Sequence, residues 1–139
     1  MKTSVLYRSA SILLVLFGVG HTLGFRKTEP EWGVDFVVAS MRAVHFNAQG
    51  FNRTYYDFYT GFGLFVSVFL LFAAVLAWQL GGVRKETLAL ISGVKWSLAI
   101  CFAGVTILSC SYFFMIPMIF SSLITLVLFL AAGLPGKPS

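Results

Sequence analysis

Charge is what this chain has least of. Asp, Glu, Lys and Arg make up 11% of its 139 residues, whereas a soluble domain carries about 25%. Hydrophobic residues supply 58% and the mean hydropathy is +0.88. A soluble fold of this length has too little interior to hide 15 phenylalanines and the aliphatic residues around them. The basic residues outnumber the acidic by 10 to 5, yet they form no cluster. They flank apolar runs, which reads as a topology signal, and no nucleic-acid partner is expected. There are only two cysteines, Cys101 and Cys110, in one apolar segment. On a straight helix their spacing turns them to opposite sides, which argues against a disulfide. Nucleophile signatures are missing too: there is no Gly-x-Ser-x-Gly, and neither cysteine has a basic neighbour. The two histidines, His21 and His45, and Asp57 follow no metal-ligand spacing. No metal and no cofactor are expected.

What remains is four apolar runs, at about 5–25, 55–78, 87–109 and 112–133, each long enough to cross roughly 30 Å of hydrocarbon. Lys2 and Arg8 give the first run a basic leader, but no small-x-small cleavage site follows, so it reads as an uncleaved signal anchor. Gly81-Gly82 is expected to break the second run, and a turn near Ser109–Tyr112 to separate the third from the fourth. The only long polar stretch is 26–54. Pro30 suits a first helical position, and Val34, Val37, Val38, Met41, Val44 and Ala48 share a face at about 100° per residue. That pattern predicts an amphipathic interfacial helix over about 31–48, ended by Gly50. The fold class expected is therefore an all-α integral membrane protein: a four-transmembrane-helix bundle, one domain over 1–139, with an amphipathic helix in the first loop.

Small and polar residues mark one face of each run, as packing inside a bilayer requires. In the first they are Tyr7, Ser11, Gly18, His21 and Phe25; in the second Arg53, Tyr56, Asp57, Thr60, Gly63 and Ser67. In the third they are Gly93, Ser97, Cys101 and Gly104, and in the fourth Pro117, Ser121 and Thr125. Phe58, Phe62, Phe65 and Phe69 fall opposite the polar arc of the second run and are expected to face lipid or a partner. Lys95 projects away from the small seam of the third run and is expected to snorkel beside Trp96.

The ionisable residues converge on one membrane face. The first run ends there with His21, the second begins there with Arg53 and Asp57, and the loop between them carries Arg42, His45 and Asn47. Asp57 lies inside an apolar helix, where a carboxylate is costly unless paired. Either it pairs with Arg53 one turn away and anchors the helix at the interface, or, the reading preferred, it points inward toward His21, the two forming the proton-transfer pair of any catalytic site. His45 projects onto the apolar face of the loop helix. Arg42, His45, Asn47, Arg53, Tyr55, Tyr56 and Tyr59 are the candidate binding residues.

Gly20-His21-Thr22-Leu23-Gly24-Phe25, followed by the run from Asn52 through Tyr55-Tyr56-Asp57-Phe58-Tyr59 to Gly63, resembles a family of small bacterial four-helix membrane proteins that is DoxX-like in size and layout. The resemblance implies the four-helix fold and a bacterial inner membrane, and it brings no established activity. Arg42-Ala43 followed by Asn47 resembles the Arg-Ala-x-x-Asn motif of the glutathione-linked membrane enzymes of eicosanoid metabolism, with one residue too many and no acidic partner. Three functions are open at this point. One is binding of a membrane lipid or other hydrophobic small molecule. Another is a membrane-embedded enzyme doing proton-transfer chemistry, such as isomerisation or epoxide opening, on such a molecule. A subunit role, with a second copy or a membrane partner against the phenylalanine face, is a third.

The basic flanks place both termini in the cytoplasm and 26–54 outside. In a background carrying Cys101→Ala and Cys110→Ala, cysteines introduced by Lys27→Cys and Lys85→Cys are expected to react with an impermeant thiol reagent from opposite sides. Labelling of both from one side would overturn the four-crossing topology.

Overall fold

Long stretches of Leu, Ala, Val and Phe uninterrupted by charge wind into helices. The computed structural model describes residues 3–134, apart from the side chains of Pro30 and Lys85. It contains α1 (Thr3–Gly24), a 3-10 turn (Pro30–Trp32), α2 (Asp35–Ala43), β1 (His45–Ala48), β2 (Phe51–Thr54), α3 (Tyr55–Gly82), α4 (Lys85–Leu90), α5 (Ser92–Tyr112) and α6 (Met115–Gly133). Four of these, α1, α3, α5 and α6, are long and apolar enough to cross a membrane, the layout of a multi-pass membrane protein. At 28 residues, α3 is about 42 Å long and exceeds the hydrocarbon thickness, so its ends have length to spare for the interface.

The chain divides into two compact units, Gly18–Phe69 and the remainder on either side of it. In the larger unit, the first part of α1 packs antiparallel on the last part of α3. Ser4 Oγ donates to the Gly81 carbonyl at 2.5 Å and Ser11 Oγ to the Ala74 carbonyl at 2.8 Å. Tyr7 lies between them, fully buried, opposite the small side chains of Ala74 and Ala77. A Cβ at Gly81 would lie 3.0 Å from Arg8 Cγ and 3.2 Å from the Ser4 carbonyl oxygen. As expected, α3 ends at Gly81-Gly82. Gly81 also lets the two backbones approach, which is how small residues drive packing inside a bilayer. The rest of this unit's core comes from Leu98, Ala99 and Phe102 of α5 and Ile124, Leu128 and Ala131 of α6. Thr106 and Thr125 hydroxyls meet across α5 and α6 at 2.9 Å, and the Phe17 and Phe120 rings stack at 5.4 Å.

The third apolar run departs from expectation in two ways. It is split at Ile91 into α4 and α5, and α6 begins at Met115 because Phe113 and Phe114 are extended. It is also rotated: Gly93, Ser97 and Cys101 are exposed, while Lys95 is 7% exposed and donates from Nζ to the Ala132 carbonyl at 3.5 Å. Lys95 does not snorkel. The end of α6 leaves carbonyls without intrahelical partners, and a cation at a helix C-terminus is favoured by the dipole. That interaction, with the apolar bulk of Leu98 and Phe102, outweighs the small-residue seam.

In the smaller unit the expected helix over 31–48 is replaced by three elements. Gly33 takes φ +62 after the 3-10 turn, α2 covers only Asp35–Ala43, and Val44 is extended. The chain then folds into an antiparallel hairpin with His45 opposite Thr54 and Ala48 opposite Phe51. Gln49 and Gly50 have φ 54 and 89, the paired positive values of a type I′ turn, which matches the twist of the strands. The Gly50 amide donates to Asn47 Oδ1 at 2.7 Å. The turn chemistry of Asn47 and Gly50, together with the β-branched and aromatic residues Val44 and Phe46, overrides the helical spacing of Val44 and Ala48.

Tyr7 Oη is buried and has no hydrogen-bond partner among the described residues. An unpaired buried hydroxyl costs stability. Tyr7→Phe is therefore expected to leave thermal stability in detergent unchanged or to raise it by about 1 kcal/mol. Gly81→Leu should lower it by about 1–3 kcal/mol through overpacking. The reverse order of the two variants would show that α1 does not meet α3 at this contact.

Candidate functional site

The smaller unit holds every candidate residue named from the sequence, and its geometry starts at the joint between β2 and α3. Thr54 is the last strand residue and caps the helix. Its Oγ1 accepts from the Asp57 amide at 3.1 Å, while Asp57 Oδ2 accepts from the Thr54 amide at 2.8 Å and from Thr54 Oγ1 at 3.0 Å. This is a reciprocal capping box with aspartate in the third helical position, at the end of the helix where negative charge is favoured. Asp57 is exposed. It turns back over the joint and does not point inward toward His21.

His21 is occupied elsewhere. Its Nε2 donates to the Gly63 carbonyl at 3.0 Å; a carbonyl only accepts, so this nitrogen carries the proton. The imidazole stacks on Phe25 at 5.2 Å. The Phe25 ring lies on Gly63 so closely that a Cβ there would overlap it. Tyr59 Oη donates to the Phe25 carbonyl. Thr22 Oγ1 reaches Ser67 Oγ at 2.8 Å, and Ser67 Oγ donates to the Gly63 carbonyl at 3.2 Å. These bonds pin the end of α1 to the start of α3. No hydrogen bond links His21 to Asp57 among the described residues.

The candidate binding residues separate into two groups. His45 lies exposed on β1, not on a helix face, with Nδ1 3.3 Å from Asn52 Oδ1. Asn47 is committed to the turn. Arg53 donates from Nη1 to the Asn52 carbonyl at 2.9 Å and lies over the Phe51 ring at 5.4 Å. Tyr55 is exposed and packs on Phe46 at 5.0 Å. The second group is continuous. Arg42 lies over the Tyr56 ring at 4.2 Å, Tyr56 meets Tyr59 at 6.1 Å, and Tyr59 meets Phe25 at 6.0 Å. Arg26 lies over Phe25 at 5.3 Å. Phe25 and Arg26 were not among the site residues expected from the sequence. Phe25 reads there as one position in a packing stripe and Arg26 as a topology flank, and only their shared neighbour Tyr59 joins them to the site. Among the described residues, no group of three His, Cys, Asp or Glu side chains comes together to hold a metal.

Comparison with known proteins finds no matching family model, curated protein or solved structure. Function is therefore argued from the site alone.

If the capping box orders the hairpin–helix joint, its two halves are one unit. Thr54→Ala is expected to cost about 1 kcal/mol of stability. Asp57→Asn should lower the melting temperature in the same direction, and the double variant should melt no lower than the worse single one. Additive losses would show that the two side chains act separately.

Proposed function

We propose that the chain is a four-transmembrane-helix bundle that binds an amphiphile, a membrane lipid or other hydrophobic small molecule, at the membrane face carrying 26–54. The termini lie on the opposite, cytoplasmic face of a bacterial inner membrane. The head group lies against Arg42, Arg53 and the tyrosines Tyr55, Tyr56 and Tyr59, and the apolar part runs along α3.

The observation that carries this reading is the stack of Arg42 on Tyr56. The guanidinium carbon lies 4.2 Å from the Tyr56 ring centroid, and among the described residues Arg42 makes no hydrogen bond or ion pair. It stands where α3 begins, beside three tyrosines whose ring bodies suit hydrocarbon and whose hydroxyls suit water. Phe58, Phe62 and Phe65, across the same helix from Tyr56, are 42%, 63% and 72% exposed and offer apolar surface for a hydrocarbon chain. Catalysis by Asp57 and His21 draws no comparable support, because Thr54 holds the carboxylate and Gly63 holds the imidazole.

Short-chain amphiphiles titrated calorimetrically into delipidated protein in an uncharged detergent should bind saturably, one per chain. Tyr56→Ala removes the ring under Arg42 and should weaken binding about tenfold, the equivalent of about 1.4 kcal/mol. Phe69→Leu, further along α3, should leave it within about twofold. Absence of saturable binding, or indifference to Tyr56→Ala, would defeat the assignment.

A further inference from the structure

Resting on that reading, we infer that the head group is a phosphate ester of net negative charge, received by the guanidinium of Arg42 at one end of the aromatic row formed by Tyr56, Tyr59 and Phe25, with Arg26 at the other end adding positive charge to the same face. Arg42 closes one end of the row over Tyr56 and Arg26 closes the other over Phe25. Both arginines are exposed, and neither makes a hydrogen bond or ion pair among the described residues. Held over a ring by cation–π attraction, such a guanidinium keeps N–H donors that no protein acceptor takes. Those donors form a planar fork that pairs two N–H groups with two oxygens of one anion.

The nearest carboxylate on α3 does not compete for these forks. Asp57 sits in the first turn, but its Oδ2 is taken by the backbone and hydroxyl of Thr54. The capping box thereby leaves the arginines without an internal counter-ion from that helix.

The same geometry discriminates against cationic head groups. A quaternary ammonium is recognised by open aromatic faces. Here a face of Tyr56 and a face of Phe25 are already covered by guanidinium groups, and those positive charges repel another cation. At the interface of a bilayer, the anion available at the depth of a helix-end tyrosine is a lipid phosphate. An anionic phospholipid brings its phosphate to Arg42 with a net negative charge that Arg26 also attracts, whereas a zwitterionic one brings its own positive charge to the same place.

The test uses matched dihexanoyl phosphatidylglycerol and dihexanoyl phosphatidylcholine, with hexyl glucoside as the uncharged head group, on the full chain in an uncharged detergent at low salt. Phosphatidylglycerol is expected to bind about tenfold tighter than phosphatidylcholine, and the preference should shrink as salt rises. Arg42→Gln should abolish the preference, Arg42→Lys should restore only part of it because the fork is lost, and Arg26→Gln should reduce it. Variants are compared only where helical content and melting temperature match the parent. Equal saturable binding of all three amphiphiles would overturn the anion assignment and leave the amphiphile site standing. No saturable binding of any would remove both. A preference for phosphatidylglycerol that survives Arg42→Gln with Arg26→Gln would also overturn it. Inorganic phosphate should displace phosphatidylglycerol only at far higher concentration; displacement at equal concentration would give the site to the free ion and overturn the lipid source.

Discussion

A bilayer interior offers no hydrogen-bond partner to a peptide group, so every amide and carbonyl that enters it must be satisfied within the chain. Most of the hydroxyls in the described helices follow the same constraint, Tyr7 and Thr60 being exceptions. Thr22, Thr106, Ser111 and Ser121 donate to carbonyls three or four residues back in their own helices. Ser4 and Ser11 instead donate from α1 to carbonyls of α3. The second kind does more than remove a cost: it fixes the register of two antiparallel helices whose apolar surfaces alone distinguish little between one sliding position and another. Gly81 and the alanines of α3 complete the contact by letting backbones close in. Lys95 follows the same logic, its ammonium placed at the carbonyl end of α6.

Where backbone leaves the helices, side chains take over the accounting. Asn47 supplies the acceptor for the tight turn, and Thr54 and Asp57 exchange bonds at the joint of strand and helix. This joint sets the phase of α3 from its first residue, and so decides which tyrosine faces which arginine. It also occupies Asp57 Oδ2, and among the described residues Asp57 forms no ion pair with Arg42.

Much of the architecture was legible in the sequence, because a run of some twenty apolar residues has few alternatives to a membrane-crossing helix. The phenylalanine face of α3 and the buried positions Tyr7, Ser11 and Ser121 follow from helical periodicity. The hairpin did not, because Val44 and Ala48 continue a helical pattern while the turn chemistry at Asn47–Gly50 contradicts it; two local signals disagreed, and pairing between two strands joined by a two-residue turn decided the matter. The face of α5 did not either. A seam of small residues and a lysine on opposite sides is an ordinary lipid-facing pattern until a second helix presents an open carbonyl end.

The candidate site divides along the same line. That ionisable and aromatic residues gather at one face was written in the order of the helices along the chain. Which of them act together was not. Asp57 and His21 look like partners in one dimension, yet each is held by its own helix joint. Arg26 and Arg42 look unrelated and are joined through three rings. Composition and periodicity determine where apolar segments begin and end, because transfer from water to hydrocarbon depends on residue type. The partners of each polar group were decided only in tertiary structure, because hydrogen bonds and ring stacks depend on distance and direction between residues that the chain order does not bring together.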